Sequence, residues 1–207
     1  MRRQNIIAVG LLVVSVFVGV VVGVSGLTKN WGPLSSDSDL AASPATLRSD
    51  GLVAAGEFPT APDFGSGMWI NSEPLTLKGL RGKVVLVEFW TFGCYNCRNT
   101  LPFVKRWHER YSNKGLTIVG VHSPEFDSEK KIENVRRQVA SLGIRFPVVT
   151  DNEHETWRAY KVEAWPTIFV LDKSGLARWK HVGEGRYEET EQVIQRLLNE
   201  DTESLNK

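Results

Sequence analysis

Sulfur is scarce in this 207-residue chain, which has only two cysteines, Cys94 and Cys97, and two methionines. A structural zinc site closes a tetrahedron with four Cys or His ligands. One Cys pair and the scattered His108, His122, His154 and His181 do not make such a set, so no metal is expected. Attachment of a c-type haem needs His directly after the second cysteine; Arg98 stands there, and no other cofactor is implied. Charge of one sign is lacking too. Twenty-five basic side chains face 24 acidic ones, a formal net charge of +1, without the basic excess that marks a nucleic-acid binder. From Thr28 to Phe58 periodic large apolar residues are lacking, and Ser, Asp, Ala, Pro and Gly dominate. Residues 28–58 therefore read as a flexible tether, with a root-mean-square reach of roughly 30 Å.

What is present centres on Cys94-Tyr95-Asn96-Cys97, which follows the apolar run Val84-Val85-Leu86-Val87-Glu88-Phe89-Trp90. That run reads as a buried strand, and a Cys-x-x-Cys pair just beyond it sits where strand hands over to helix. The first sulfur then lies at a helix N-terminus, where unpaired N–H groups and the helix dipole stabilise a thiolate. The second lies about one turn deeper on the same face, within reach of a disulfide. Cys94 is thus the expected attacking thiol and Cys97 the resolving one. A purely structural bridge is the alternative, but closing so short a loop removes little unfolded-state entropy. Glu88 interrupts an otherwise apolar strand. A carboxyl buried there is costly unless paired and tends to hold its proton.

The N-terminus bears on where this chemistry happens. After Met1-Arg2-Arg3-Gln4-Asn5, the uncharged run from Ile6 to Leu27 is long enough to cross a hydrocarbon core of about 30 Å at 1.5 Å per residue. Residues 1–27 read as a signal anchor or transmembrane helix. Arg2 and Arg3 precede the span and only Lys29 closely follows it, which keeps the N-terminus cytoplasmic and places the rest outside. A cleaved signal peptide ending near Val24-Ser25-Gly26 is the competing reading, although the run exceeds the usual core of about 7 to 15 residues.

Residues 59–200 have the length of one ordinary domain, followed by a tail at 201–207. Gly67 to Asn71 and Pro74 to Leu77 suggest a short hairpin, and Lys83 to Trp90 a strand. Tyr95 to Tyr111 suggests a helix kinked at Pro102. Leu116 to His122 reads as a strand and Ser128 to Leu142 as a helix with Ile132, Val135, Val139 and Leu142 on one face. A short strand near Pro147 to Thr150, a helix near His154 to Tyr160, strands at Thr167 to Leu171 and Ala177 to Val182, and a helix from Glu188 to Leu198 complete the order. Such alternation implies an α/β fold with a mixed sheet and helices on both faces.

Glu88-Phe89-Trp90 before the Cys pair, Pro102 in the helix after it, and Trp165-Pro166-Thr167 leading into a strand together resemble the thioredoxin fold. The added strand and helix between Leu116 and Thr150 are similar to the TlpA-like, membrane-anchored branch. Gly120-Val121-His122-Ser123-Pro124-Glu125-Phe126, with Trp90-Thr91-Phe92-Gly93-Cys94-Tyr95-Asn96-Cys97, is most similar to the exported thioredoxin-like domain of DipZ proteins. The pattern departs from thioredoxins at Gly93, where they carry Trp, and at Tyr95-Asn96, where they carry Gly-Pro.

This resemblance implies a thioredoxin-like mixed sheet with a TlpA-like strand-helix insertion, preceded by one transmembrane helix. It implies a cis Pro166 beside the Cys pair, leaving the Trp165 backbone free to bond an incoming peptide. It gives Glu88 the role of proton transfer to Cys97, and it places Trp90, Phe92, Trp165 and Thr167 around the partner. His122 and Glu125 attract attention in the same stretch, but a lone His ending a strand reads as a structural hydrogen-bonder. The expected partners are protein thiols and disulfides, with a membrane thiol carrier supplying electrons if the chain is an exported reductase. Two other readings share the fold. A thiol peroxidase of the peroxiredoxin type uses a Pro-x-x-x-Thr-x-x-Cys setting, whose full pattern is absent upstream of Cys94. A non-enzymatic binding module would use the Cys pair only as a clasp.

Overall fold

A computed structural model describes residues 60–200; the expected span at 1–27, the tether at 28–58 and the tail at 201–207 lie outside the described residues. Among the described residues no helix is long and apolar enough to cross a membrane. The elements run β1 (Trp69–Ile70), β2 (Val84–Trp90), α1 (Tyr95–Tyr111), β3 (Leu116–His122), α2 (Ile132–Ser141), β4 (Val148–Thr150), α3 (Glu155–Ala159), β5 (Thr167–Leu171), β6 (Ala177–Val182) and α4 (Tyr187–Asn199).

All seven residues of β2 are buried, as expected of a strand covered on both faces. It lies inside a six-stranded mixed sheet of order β1-β4-β3-β2-β5-β6. β2, β3 and β4 are parallel, while β5 runs antiparallel to β2, with Phe89 opposite Thr167 and Glu88 opposite Ile168. The two parallel crossovers step the same way across the sheet, so crossovers of one hand put α1 and α2 on one face. That face is a core in which Leu86 and Trp90 meet Cys97, Leu101, Val104 and Trp107 of α1, Val135 and Val139 of α2, and Ile194 and Leu197 of α4. The opposite face is thinner, covered by the short α3 and by Ala61, Leu77 and Leu80.

Two local expectations are corrected. Gly67 to Asn71 does not pair with Pro74 to Leu77; β1 instead adds antiparallel to β4, with Trp69 opposite Val149. An apolar alternation marks a strand but does not name its partner. The helix expected from Ser128 begins at Ile132, preceded by a single 3-10 turn at Asp127–Glu129. α1 runs as one helix through Pro102, whose ring sits on its exposed side.

Candidate active site

Cys94 is the N-cap of α1, in extended backbone conformation, and its Sγ accepts the N–H of Cys97 at 3.2 Å. A sulfur in a cap position receives the helix-terminal donors that stabilise negative charge. The two sulfurs are joined as a disulfide, with Cα atoms 5.3 Å apart. Their surroundings differ: Cys94 is half-buried, whereas Cys97 is 1% exposed among the core side chains.

Alternation along β2 puts Glu88 on the same face as Leu86 and Trp90, the face against which α1 packs Cys97. It is fully buried, and neither carboxyl oxygen has a hydrogen-bond partner among the described residues. Burial pushes its carboxyl up to about 8. Strand register sets Glu88 opposite Gly120 of β3. A Cβ at Gly120 would come 2.8 Å from Trp90 Nε1, so glycine there makes room for the indole.

The Trp165–Pro166 bond is cis. Because Thr167 opens β5 opposite Phe89, Pro166 falls beside the end of β2 that leads into the Cys pair. Trp165, half-buried, donates its Nε1–H to the Ser123 carbonyl at 3.1 Å and packs on Trp157 with ring centroids 4.4 Å apart. Two residues expected around the partner are buried in this structure. Trp90 is 3% exposed in the core, because its place in β2 turns it toward α1. Thr167 is fully buried and donates its hydroxyl to the Ala164 carbonyl at 2.7 Å. Phe92 is half-buried, stacked on the His122 ring at 5.5 Å.

His122 itself is fully buried, and desolvation pushes its imidazole down to about 4, so it is neutral. Its Nε2 lies 3.3 Å from Thr91 Oγ1. Thr91 occupies the Thr-x-x-Cys half of the peroxidatic pattern, whereas Val87 stands where that pattern has Pro. Glu125 is exposed, and its backbone N–H donates to Glu129.

Glu129 is the residue that sequence reasoning missed. It is 1% exposed, and its carboxylate accepts three backbone N–H groups: Gly93 at 3.0 Å, Glu125 at 2.7 Å and Phe126 at 3.1 Å. A Cβ on Gly93 would run into Glu129 Oε1, which accounts for glycine directly before Cys94. The available signal was that same glycine, a departure from the thioredoxin pattern that local structure does not require.

A helix-capping thiol bonded to a buried partner cysteine, set at the carboxyl end of a parallel β-α-β unit, defines a thioredoxin-like thiol-disulfide oxidoreductase. The chain belongs to the AhpC/TSA family, which matches residues 59–180. It is 41% identical over 156 residues to Protein DipZ of Mycobacterium tuberculosis, an alignment covering 73% of this chain and 22% of DipZ. The chain thus spans under a quarter of that relative's length. It is 26% identical over 136 residues to the thiol-disulfide oxidoreductase YkuV of Bacillus subtilis, covering 66% of this chain and 91% of YkuV. Among solved structures, a thiol-disulfide isomerase from Corynebacterium glutamicum matches with a TM-score of 0.61 and 28% identity, over 68% of this chain and 98% of that one.

Proposed function

We propose that this chain is a membrane-tethered, extracytoplasmic reductase of disulfides in partner proteins. The observation that carries the reading is the asymmetry of the pair: a half-buried, helix-capping Cys94 against a buried Cys97 that packs on the sheet face carrying the buried acid Glu88. In the forward reaction the Cys94 thiolate attacks one sulfur of a partner disulfide. A Cys94–partner bond forms, the partner's S–S bond breaks, and the departing sulfur takes a proton. Cys97 then gives its proton to Glu88 and attacks the Cys94 sulfur; the Cys94–partner bond breaks, the second partner sulfur leaves and takes a proton from water, and Cys94–Cys97 closes. Two electrons pass to the partner. A Glu88 carboxyl pushed up to about 8 holds that proton at neutral pH while the pair is oxidised, and it can return the proton to Cys97 when the pair is next reduced.

The reducing direction is supported by Tyr95-Asn96, which brings no charge to stabilise the Cys94 thiolate as a strong oxidant needs. Tethering is supported by the uncharged run from Ile6 to Leu27 and the cations ahead of it. With no cysteine in that run, electrons must reach the pair from a membrane thiol carrier. Pro166 and the Trp165 backbone are assigned to hold the partner's chain in extended form beside Cys94.

The test is a side-by-side assay of the full-length chain for insulin-disulfide reduction and for peroxide consumption. Disulfide reduction that disappears in Cys94→Ser, with no peroxide consumption, is expected; catalytic peroxide consumption would replace the reading with a peroxidase. Direction is read from the midpoint potential. It is expected nearer the roughly −270 mV of a reductant than the roughly −120 mV of a strong oxidant.

A further inference from the structure

Three consecutive residues ahead of Cys94 are held by two side chains from the β3 end and the loop after it. Thr91 Oγ1 lies 3.3 Å from His122 Nε2, Phe92 stacks on the same ring, and the Gly93 N–H donates to Glu129 Oε1 at 3.0 Å. The other carboxylate oxygen gathers the N–H groups of Glu125 and Phe126, so Glu129 bridges its own loop to the loop that carries the attacking thiol. Only N–H donors converge on it, as suits an acceptor-only carboxylate. Among the described residues no ion pair is formed by Glu129, and the imidazole nearest it, His122, is buried and neutral. A Cβ at position 93 would strike Glu129 Oε1, so a larger residue there displaces the carboxylate.

We propose that Glu129 is a positioning residue that sets the redox potential of the Cys94–Cys97 pair, pinning the Gly93 N–H and placing behind Cys94 a carboxylate that has no ion-pair partner among the described residues. Two consequences follow. The Gly93 N–H is committed to Glu129 and is not available to a thiolate on the next residue. The carboxylate also repels the negative charge that Cys94 carries once the disulfide opens. When two glutathione thiols reduce the pair, the Cys94–Cys97 bond breaks and one glutathione disulfide forms. Of the two protons the thiols bring, one stays on the Cys97 side and the other is shared between Cys94 and water, so Cys94 is left partly as thiolate. Disfavouring that thiolate shifts the equilibrium toward the protein disulfide and makes the reduced pair a stronger reductant. A device of this kind suits a reductase whose Tyr95-Asn96 adds no charge of its own beside the thiol.

The inference rests on thiol exchange at this pair. A chain that exchanges no disulfide sinks that function, whereas normal exchange with an unmoved potential in the variants sinks only the role given to Glu129. The experiment equilibrates the full-length chain with glutathione buffers and counts free thiols by alkylation, for the parent, Glu129→Gln, Glu129→Asp and Gly93→Ala. Glu129→Gln is expected to shift the equilibrium constant about tenfold toward the dithiol, the effect of one nearby charge, which is about 30 mV less reducing. It is also expected to speed Cys94 alkylation at neutral pH several-fold. Glu129→Asp keeps the charge and is expected to stay within about threefold of the parent. Gly93→Ala leaves residue 129 intact but displaces its carboxylate, and it is expected to move the equilibrium in the same direction as Gln by at least threefold. A potential that stays put in Glu129→Gln and Gly93→Ala while thermal stability falls would reduce Glu129 to a structural clasp. A shift toward stronger reduction would overturn the proposed sign.

Discussion

Exposure, more than identity, separates the two cysteines: Cys94 is half-buried at a helix cap, and Cys97 is 1% exposed in the core. A partner sulfur can reach only the first. Cys97→Ser should therefore accumulate a mixed disulfide through Cys94, whereas Cys94→Ser should accumulate little, as read on non-reducing gels after acid quench; equal trapping would remove the assigned order. Glu88 is the second residue whose surroundings matter, because burial with no hydrogen-bond partner among the described residues pushes its carboxyl up to about 8. Glu88→Gln should leave the initial attack near the parent rate and slow release of the mixed disulfide about a hundredfold, the usual scale for losing a general acid–base group. Stopped-flow traces with an unchanged release step would reject that role.

At the scale of elements, the short α3 matters out of proportion to its length, because it carries Trp157 against Trp165. Its start is tied down by Asp151, whose carboxylate accepts the N–H groups of Thr156 at 3.0 Å and Trp157 at 2.9 Å and the hydroxyl of Ser123 at 3.2 Å. Ser123 in turn accepts the Trp165 indole. Asp151→Ala should cost about 1–2 kcal/mol, as loss of a helix cap does. It should also weaken partner binding several-fold while leaving Cys94 alkylation unchanged, since α1 is untouched. Denaturation and a binding assay with a disulfide peptide check the two halves. α1 and α4 are locked by other means, with the Phe103 and Tyr187 rings stacked 3.6 Å apart and Tyr111 donating its hydroxyl to Glu191 at 2.6 Å.

For the whole molecule, two buried groups on the α1 side shape the pH dependence of stability. Glu88 is raised from 4.5 to about 8, so between those values the unfolded chain has lost a proton that the folded chain keeps, and stability falls as pH rises. His122 is lowered from 6.5 to about 4, so between those values the unfolded chain binds a proton that the folded chain refuses, and stability falls as pH drops. The slopes cancel between about 4.5 and 6.5, leaving a plateau with a decline above it to about pH 8. Glu88→Gln should abolish the upper decline and be more stable than the parent at pH 8 by a few kcal/mol, measured by urea titration of the oxidised chain. The proposed anchor predicts that the full-length chain sediments with membranes. Protease added outside spheroplasts should cut within 28–58 and release a folded domain, because an irregular polar segment exposes its backbone. Protection from outside protease with cutting from inside would reverse the orientation.

The Cys pair and the order of strands and helices around it were legible in the chain alone. Both depend on short-range facts: two cysteines one helical turn apart after an apolar strand, and periodicities of two or 3.6 that neighbouring residues share. The place of Cys94 at a helix N-terminus could be read the same way, since a helix N-terminus is a local object. Only the tertiary structure decided that β1 joins β4, that Trp90 and Thr167 turn inward, and that Glu129 holds Gly93 from 36 residues away. Such contacts leave no periodic trace, because a buried carboxylate meets a backbone N–H only after the sheet has brought the end of β3 beside the end of β2. The glycine before Cys94 was visible in the chain from the start, but its reason was not, because what it makes room for arrives from another loop.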